Sequence, residues 1–363
     1  MTDQPILIIG GGPAGAACAI QLAARGIAVE IVERAAFPRT KVCGCCLGGS
    51  GIQTLAELGL KEWALAKGER IDSWRGCIDS REVRLPLPAG IAISREALDT
   101  KLLSFAEQHG VLVRHECTAR IESRESVHGQ PVTVSLNGIS KSYQCIVLAV
   151  GLNGVGQSIL PWTEVPNGPF GLSFTVDPSP HIQRGTIYMV CDSDGYVGLV
   201  QLESGRVDIA AALRSGAQAA KHASPFQRVR RMLAASPLSA LDFLGATKLM
   251  TTPPLRRSRV AGAGRFMAIG DSAGYVEPFT GEGMTWAMKS GIAAADFISQ
   301  QYDALQHIGD QWAPLAANLL RSRKRTCRAI TSALGWTPTR RLIGLGLFAA
   351  PALAKPLVAR LNS

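Results

Sequence analysis

Two short stretches of the chain carry residue types and spacings that could do chemistry. In the first, Gly10-Gly11-Gly12-Pro13-Ala14-Gly15 follows directly on the apolar run Ile6-Leu7-Ile8-Ile9. A buried strand must therefore end in a tight turn and open a helix. Gly10 permits the turn, Gly12 lets the backbone approach a diphosphate, and Gly15 allows the helix over residues 13–25 to lie close on the sheet. The helix start at Pro13 and Ala14 offers unpaired N–H groups and a partial positive charge to phosphate. Glu33 closes a second apolar run eighteen residues past Gly15, where a carboxylate accepts bonds from ribose hydroxyls. The unit calls for a nucleotide, and by itself it does not separate FAD from NAD.

The second stretch is Cys43-Gly44-Cys45-Cys46, inside a turn-rich segment that cannot form a regular element. Cys43 and Cys46 have the C-x-x-C spacing of a redox pair or half a metal site. The six histidines show no zinc-like spacing, so no metal is expected. A thiol beside a redox cofactor is the chemical use that is left, with Cys43 and Gly44 as the candidate positions and close packing of small residues as the structural alternative.

The elements that position these stretches are read from composition and periodicity. At 363 residues and 47% hydrophobic content the chain can bury a large core. Its first apolar run is the nucleotide strand, not a leader, and its nine cysteines follow no disulfide framework, so a cytoplasmic protein is expected. The formal charge of +10 is localised: residues 311–363 hold nine Lys and Arg and no acid, leaving 29 basic against 28 acidic groups before them. No nucleic-acid module or interleaved aromatic pattern accompanies that tail, which excludes nucleic acid as a partner.

Residues 51–67 read as a helix, 73–78 and 82–87 as a hairpin turning at Asp79-Ser80, and 94–106 as a helix capped by Ser94. Strands are expected at 111–113, 131–136 and 143–151, the last nearly continuous in apolar residues and so buried on both faces. Gly151 to Gly156 forms a Gly-rich exit from it. From Gly171 the pattern changes to short strands at 171–176, 186–190, 196–200 and 207–211, separated by turn signals, which argues for an antiparallel sheet. A helix over 226–241 follows. The chain then returns with Phe266-Met267-Ala268-Ile269 running into Gly270-Asp271, and Gly281-Glu282-Gly283-Met284 opens a helix over 284–301. A second glycine-rich approach to the same cofactor is what an extended flavin dinucleotide needs.

The expected fold is α/β: a Rossmann-like FAD-binding domain with an inserted antiparallel β-sheet substrate domain and C-terminal helices. The boundaries are 1–70, 93–155 and 256–300 for the first, 71–92 and 156–255 for the second, and 301–363 for a basic helical segment.

Taken together, the Gly10–Gly15 unit with Glu33-Arg34, the helix at Arg95, and Gly270-Asp271 through Gly274 with Pro278 and Gly281-Glu282-Gly283 resemble the FAD-dependent superfamily of para-hydroxybenzoate hydroxylase-type monooxygenases and geranylgeranyl reductases. Phe37-Pro38-Arg39 with Lys41, Cys43 and Gly44 is similar to the geranylgeranyl reductase branch. The resemblance implies FAD as cofactor, with Asp271 on the ribityl chain and the N–H groups near Gly283 and Met284 against the flavin N1/C2 carbonyl region. It places Arg34 by the adenosine, Arg95 near the diphosphate or ribityl, and Cys43 and Gly44 close to the isoalloxazine and the substrate.

Two departures bear on the reaction. Tyr196 to Gln201 lacks the aromatic Y-x-W-x-F-P segment of the prenyl reductases, and Pro161-Trp162 to Pro166 lacks the first Trp of the halogenase W-x-W-x-I-P motif. The expected activity is NAD(P)H- and oxygen-dependent hydroxylation of a lipophilic aromatic or polyketide-like molecule. The alternatives are reduction of an isoprenoid C=C bond and a flavoprotein that only binds a lipid. A second nucleotide motif is missing from the sequence, so NAD(P)H would visit without its own domain, or a reductase partner would deliver electrons. For the basic tail the sequence offers adsorption to an anionic membrane surface or a helix pair capping the substrate cavity.

Overall fold

The computed structural model describes residues 4–79, 81–122, 130–152, 155–164, 168–216, 222–276, 279, 281–319 and 321–354. Ser80, Asn153, Gly154, Pro166, Pro278 and residues 355–363 of the basic segment, all within stretches read from the sequence, lie outside them. Among the described residues two large sheets organise the chain.

The first sheet has six strands. Ile6–Ile9 lies at its centre, parallel to Val29–Val32 on one side and to Ile146–Leu148 on the other. Leu112–Arg114 and Phe266–Ala268 extend it in parallel, and Gly262–Ala263 closes it antiparallel. The central strands are buried throughout, as apolar runs without alternation require. Helix Pro13–Ala23 packs on this sheet and against helix Gly283–Gln300 along small residues. A Cβ at Gly291 would come within 2.2 Å of the Ala14 carbonyl oxygen. Glycine there brings both helix N-termini to one end of the sheet.

The second sheet has eight strands, among them Phe170–Val176, Thr186–Asp192, Gly195–Gln201 and Val207–Leu213. It is antiparallel except where Thr186–Asp192 runs parallel to Glu69–Ile78. Its edge strand, Cys46–Leu47, comes from the cysteine segment itself and pairs with Arg81–Ala92.

Three expected elements are corrected. The helix over 51–67 is two helices, Gly49–Glu57 and Lys61–Lys67, because Gly59 at φ +74° breaks the chain between them. The strand over 143–151 is split: Tyr143 ends a strand of a separate antiparallel sheet with Val132–Leu136, and only Ile146–Leu148 enters the parallel sheet. The helix over 226–241 is Pro225–Ala234, stopped ahead of Pro237. Ser94 does cap helix Arg95–Gln108, accepting from the Ala97 N–H at 3.1 Å.

Among the described residues three α-helices follow residue 307, Ile308–Leu319, Arg321–Gly335 and Thr337–Ala349. Buried Arg340 fastens the last to the tip of the Glu69–Ile78 strand by donating to both carboxylate oxygens of Asp79, at 3.0 and 3.1 Å. None of the helices of the described residues is long and apolar enough to cross a membrane.

Candidate active site

A cavity of about 1310 Å³ runs between the two sheets and under the last two helices. The glycine turn forms one end of it. Gly10 adopts φ +110°, and a Cβ there would lie 2.4 Å from the Ala149 carbonyl oxygen; a Cβ at Gly15 would lie 2.0 Å from the Gly10 carbonyl oxygen. Both glycines are therefore needed for strand and helix to meet. Gly12 differs, because its Cβ position faces open space bounded by Arg39 Nη2 at 3.4 Å and Arg95 Nη2 at 3.9 Å. Glu33 holds the turn in shape, accepting from the Gly11 N–H at 2.9 Å and from the Ala35 N–H at 2.9 Å.

The charges around Gly12 match a diphosphate. Arg34, Arg39, Lys41 and Arg95 line this end of the cavity with Glu33, and buried Asp99 stands behind them. Arg95 donates twice to Asp99, at 2.8 and 2.7 Å, and Arg39 lies 3.3 Å from the same carboxylate and 3.8 Å from Glu33. Arg39 Nε is buried with no hydrogen-bond partner among the described residues. Burial, followed by repulsion from Arg39 and Arg95, pushes Lys41 down to about 8. Four cations against two carboxylates leave an excess that a ligand with two negative charges neutralises, and the free donor on Arg39 points to the same kind of ligand. Arg39, Lys41 and Asp99 were not among the expected site residues. Their signal was weak: Arg39 and Lys41 alternate in an extended segment, and Asp99 sits one helical turn past Arg95.

At the other end, Gly270 at φ +56° turns the chain after the Phe266–Ala268 strand, its N–H donating to Ser290 Oγ at 3.0 Å, and Asp271 follows in the cavity wall. Gly281, at φ +77°, leads into helix Gly283–Gln300, whose N-terminal residues Gly283 and Met284 also line the cavity. The cavity is thus reached by two helix N-termini, one at Gly12-Pro13-Ala14 and one at Gly283-Met284. Each favours negative charge.

Cys43 and Gly44 line the middle of the cavity, as does Cys46. The C-x-x-C spacing paired Cys43 with Cys46, but the structure joins Cys43 to Cys45. Cys45 takes the left-handed backbone conformation, φ +53°, and its N–H donates to Cys43 Sγ at 3.3 Å. Cys45 Sγ donates to the Cys43 carbonyl oxygen at 4.0 Å, and hydrogen bonding from Cys45 lowers the Cys43 pKa below the ordinary thiol range while that of Cys45 is pushed up. Cys46 instead abuts the second glycine turn: a Cβ at Gly281 would lie 3.4 Å from Cys46 Cβ.

The remaining wall is apolar. Ile187, Met189, Tyr196, Gly198 and Val200 line it from the second sheet, and Ile343, Gly346 and Leu347 from the last helix. The residues expected to hold cofactor therefore gather around one cavity, with Cys43 between them and an apolar chamber.

Comparison with known proteins agrees with this geometry. Residues 3–304 match the family described as "FAD binding domain". The chain belongs to that family. It is an enzyme of the FAD-dependent oxidoreductase class. Menaquinone reductase of Mycobacterium tuberculosis is 26% identical over 333 residues, covering 82% of this chain and 76% of that protein. The chloroplastic geranylgeranyl diphosphate reductase of Oryza sativa is 25% identical over 320 residues, covering 81% and 66%. Among solved structures, halogenase PltM superposes with a TM-score of 0.78 over 99% of this chain and 84% of that one at 16% identity, a likeness of fold.

Proposed function

We propose that the protein reduces a C=C bond of a lipophilic isoprenoid or prenylated quinone, with NAD(P)H as the electron donor. The observation that carries this reading is Cys43. A thiol held below its ordinary pKa range lines the cavity between the FAD cradle and the apolar chamber. Reduction needs a proton donor in that position. Hydroxylation through a peroxide-level oxidant would instead expose a reactive thiolate to sulfenic acid formation. The sequence likeness to reductases of menaquinone and of geranylgeranyl diphosphate supports the same choice. FAD supplies hydride transfer when bound. The chain's own residues hold its diphosphate (Arg39, Lys41, Arg95), meet flavin negative charge with the Gly283 helix end, exclude water with the apolar wall, and place Cys43 Sγ where it can pass a proton to the substrate.

Hydroxylation is the second reading, favoured by the enclosed apolar chamber, which would protect an oxygen-derived intermediate from water. The test is anaerobic incubation of the enzyme with NAD(P)H and a panel of polyprenyl quinones and prenyl diphosphates, followed by mass spectrometry. A product heavier by two hydrogens supports the reductase; turnover only with oxygen, giving a product heavier by one oxygen atom, supports the hydroxylase.

The substrate's lipophilicity fits delivery from an anionic membrane surface. Trp336, Leu342, Leu345 and Phe348 are exposed on the last helix and its N-terminal edge, while Leu342 also borders the cavity. One face of this helix closes the chamber and the other is free to enter a bilayer interface, beside a segment with no acidic residue after Asp310.

A further inference from the structure

Two glycines interrupt the second sheet on the face it turns to the cavity, and the strand register puts them in one row. Gly76 stands opposite Met189, Met189 opposite Gly198, and Gly198 opposite Ala210, so the row crosses four adjacent strands. Glycine inside a strand weakens it and marks a place where another group comes close. The rows to either side carry bulk. Trp74 and Ile187 form one, with Ile187 in the apolar cluster of Cys43 and Cys46; Ile78 and Tyr196, joined through Cys191, form the other beneath the last two helices. Between them lies a trough three strand spacings long, roughly 14 Å, with its bordering rows about 7 Å away on each side.

The two glycines are used differently. A Cβ at Gly76 would lie 2.0 Å from Trp74 Cη2, so the indole is folded directly over that glycine and closes the trough there. At Gly198 the Cβ position meets only the Ala210 carbonyl oxygen and Met189 Sδ and Cε, all at 3.8 Å, which leaves the middle of the trough open. Met189 is the one long side chain in the row, and an unbranched thioether adapts to what lies against it. In the opposite wall Gly346 also lines the cavity, and its Cβ position meets nothing within 4 Å. Trp74, Ile187, Met189, Tyr196, Gly198 and Ala210 all line the cavity without a charge among them. A long, narrow, uncharged trough suits an apolar chain, which gains by leaving water and asks for no polar partner.

We infer that this trough seats the isoprenoid chain of the substrate, that Gly198 sets the girth of chain it admits, and that Trp74 sets how far the chain reaches. The inference rests on the reductase reading above for the reacting end of the substrate only. Gly198 and Trp74 are specificity-determining residues, and neither takes part in hydride or proton transfer. Removing the Trp74 indole uncovers Gly76 and lengthens the trough by one strand spacing, about 4.8 Å.

The experiment titrates the oxidised, FAD-loaded enzyme with one quinone bearing no chain, a short isoprenoid chain or a long one, following the flavin absorption spectrum, and then measures KM and kcat for anaerobic turnover of the same ladder. Wild-type affinity should rise with the chain. Gly198→Val should weaken binding of the long-chain member about tenfold or more, the effect of a methylene or two misplaced in an apolar pocket. The loss should shrink with the chain, fall on KM rather than kcat, and be smaller in Gly198→Ala. Trp74→Ala should move the tightest-binding member of the ladder to a longer chain. Retained FAD shows that each variant folds, and if Gly198→Val loses it, Gly198→Ala and Trp74→Ala carry the test. The inference is overturned if wild-type affinity does not rise with the chain, if the Gly198 variants weaken every member alike, or if Trp74→Ala keeps the wild-type preference. Should no member reoxidise the reduced enzyme without oxygen, the reductase reading fails instead, and the titrations, which need no turnover, still decide whether the trough seats the chain.

Discussion

Replacing Gly12 and Gly15 with alanine, one at a time, should produce opposite failures although the two positions lie three residues apart. At Gly15 the new Cβ would sit 2.0 Å from the Gly10 carbonyl oxygen and 3.1 Å from Ala149 Cβ. Neither obstacle is a flexible side chain, so the helix must back away from the strand, at an overpacking cost of about 1–3 kcal/mol or more. That cost lowers the apoprotein melting temperature by roughly 2–4 °C for each kcal/mol. At Gly12 the nearest atoms are guanidinium nitrogens at 3.4 and 3.9 Å, and the backbone is already at φ −76°, ψ −178°, open to alanine. The change costs about 0.5–1 kcal/mol as a helix cap and regains about 0.4–1 kcal/mol from the unfolded chain, so apoprotein stability should hold within about 1 kcal/mol. The methyl group, however, stands where the diphosphate must approach the N–H groups. FAD affinity should fall at least tenfold, equivalent to about 1.4 kcal/mol. Thermal unfolding of stripped apoprotein and fluorescence titration with FAD read the two effects separately. Gly12→Ala binding FAD as tightly as wild type would refute the placement of the diphosphate, and a Gly15→Ala apoprotein as stable as wild type would refute the close strand–helix contact.

The other expectations concern charge, closure and docking. Lys41 titrates at about 8 before FAD binds, and a bound diphosphate raises it; FAD affinity should thus be flat below pH 8 and weaken by up to tenfold per unit above it, and Lys41→Met should abolish that slope in pH-dependent titrations. Arg39→Ala, which removes a buried cation with an unpartnered donor, should weaken FAD binding at least tenfold while stability of the apoprotein changes little. Arg340→Met leaves Asp79 without the partner that clamps the last helix; about 3–5 kcal/mol is the usual cost of breaking a buried pair from one side, and hydrogen exchange should show Thr337–Ala349 opening while helix Pro13–Ala23 stays protected. Leu345→Glu with Phe348→Glu should lower co-sedimentation with vesicles containing anionic lipid; unchanged binding of this double variant would remove the bilayer from the account.

Legibility followed the range of the physics. The strand–glycine–helix unit and Glu33 were readable because each step depends on neighbours in sequence, and Gly270 and Gly281 repeat the same local logic. The convergence of Arg39, Lys41 and Arg95 on Gly12 was not readable, since a loop and a helix 56 residues apart in sequence, as Arg39 and Arg95 are, meet only in the fold. The cysteines show the limit most clearly. Spacing suggested Cys43 with Cys46, yet the left-handed turn at Cys45 reverses the segment and brings Cys45 to Cys43 instead. Helix breaks at Gly59 and Pro237 were local and could have been read from the residues that cause them.

The central claim is that Cys43 serves reduction of a substrate double bond rather than oxygen chemistry. Rapid mixing of anaerobically reduced enzyme with a polyprenyl quinone or a prenyl diphosphate follows it directly through the return of oxidised flavin absorbance. The account predicts substrate-dependent reoxidation without oxygen, slowed about 10²-fold in Cys43→Ala. Reoxidation that requires oxygen, passes through a flavin hydroperoxide and is indifferent to Cys43→Ala would contradict it.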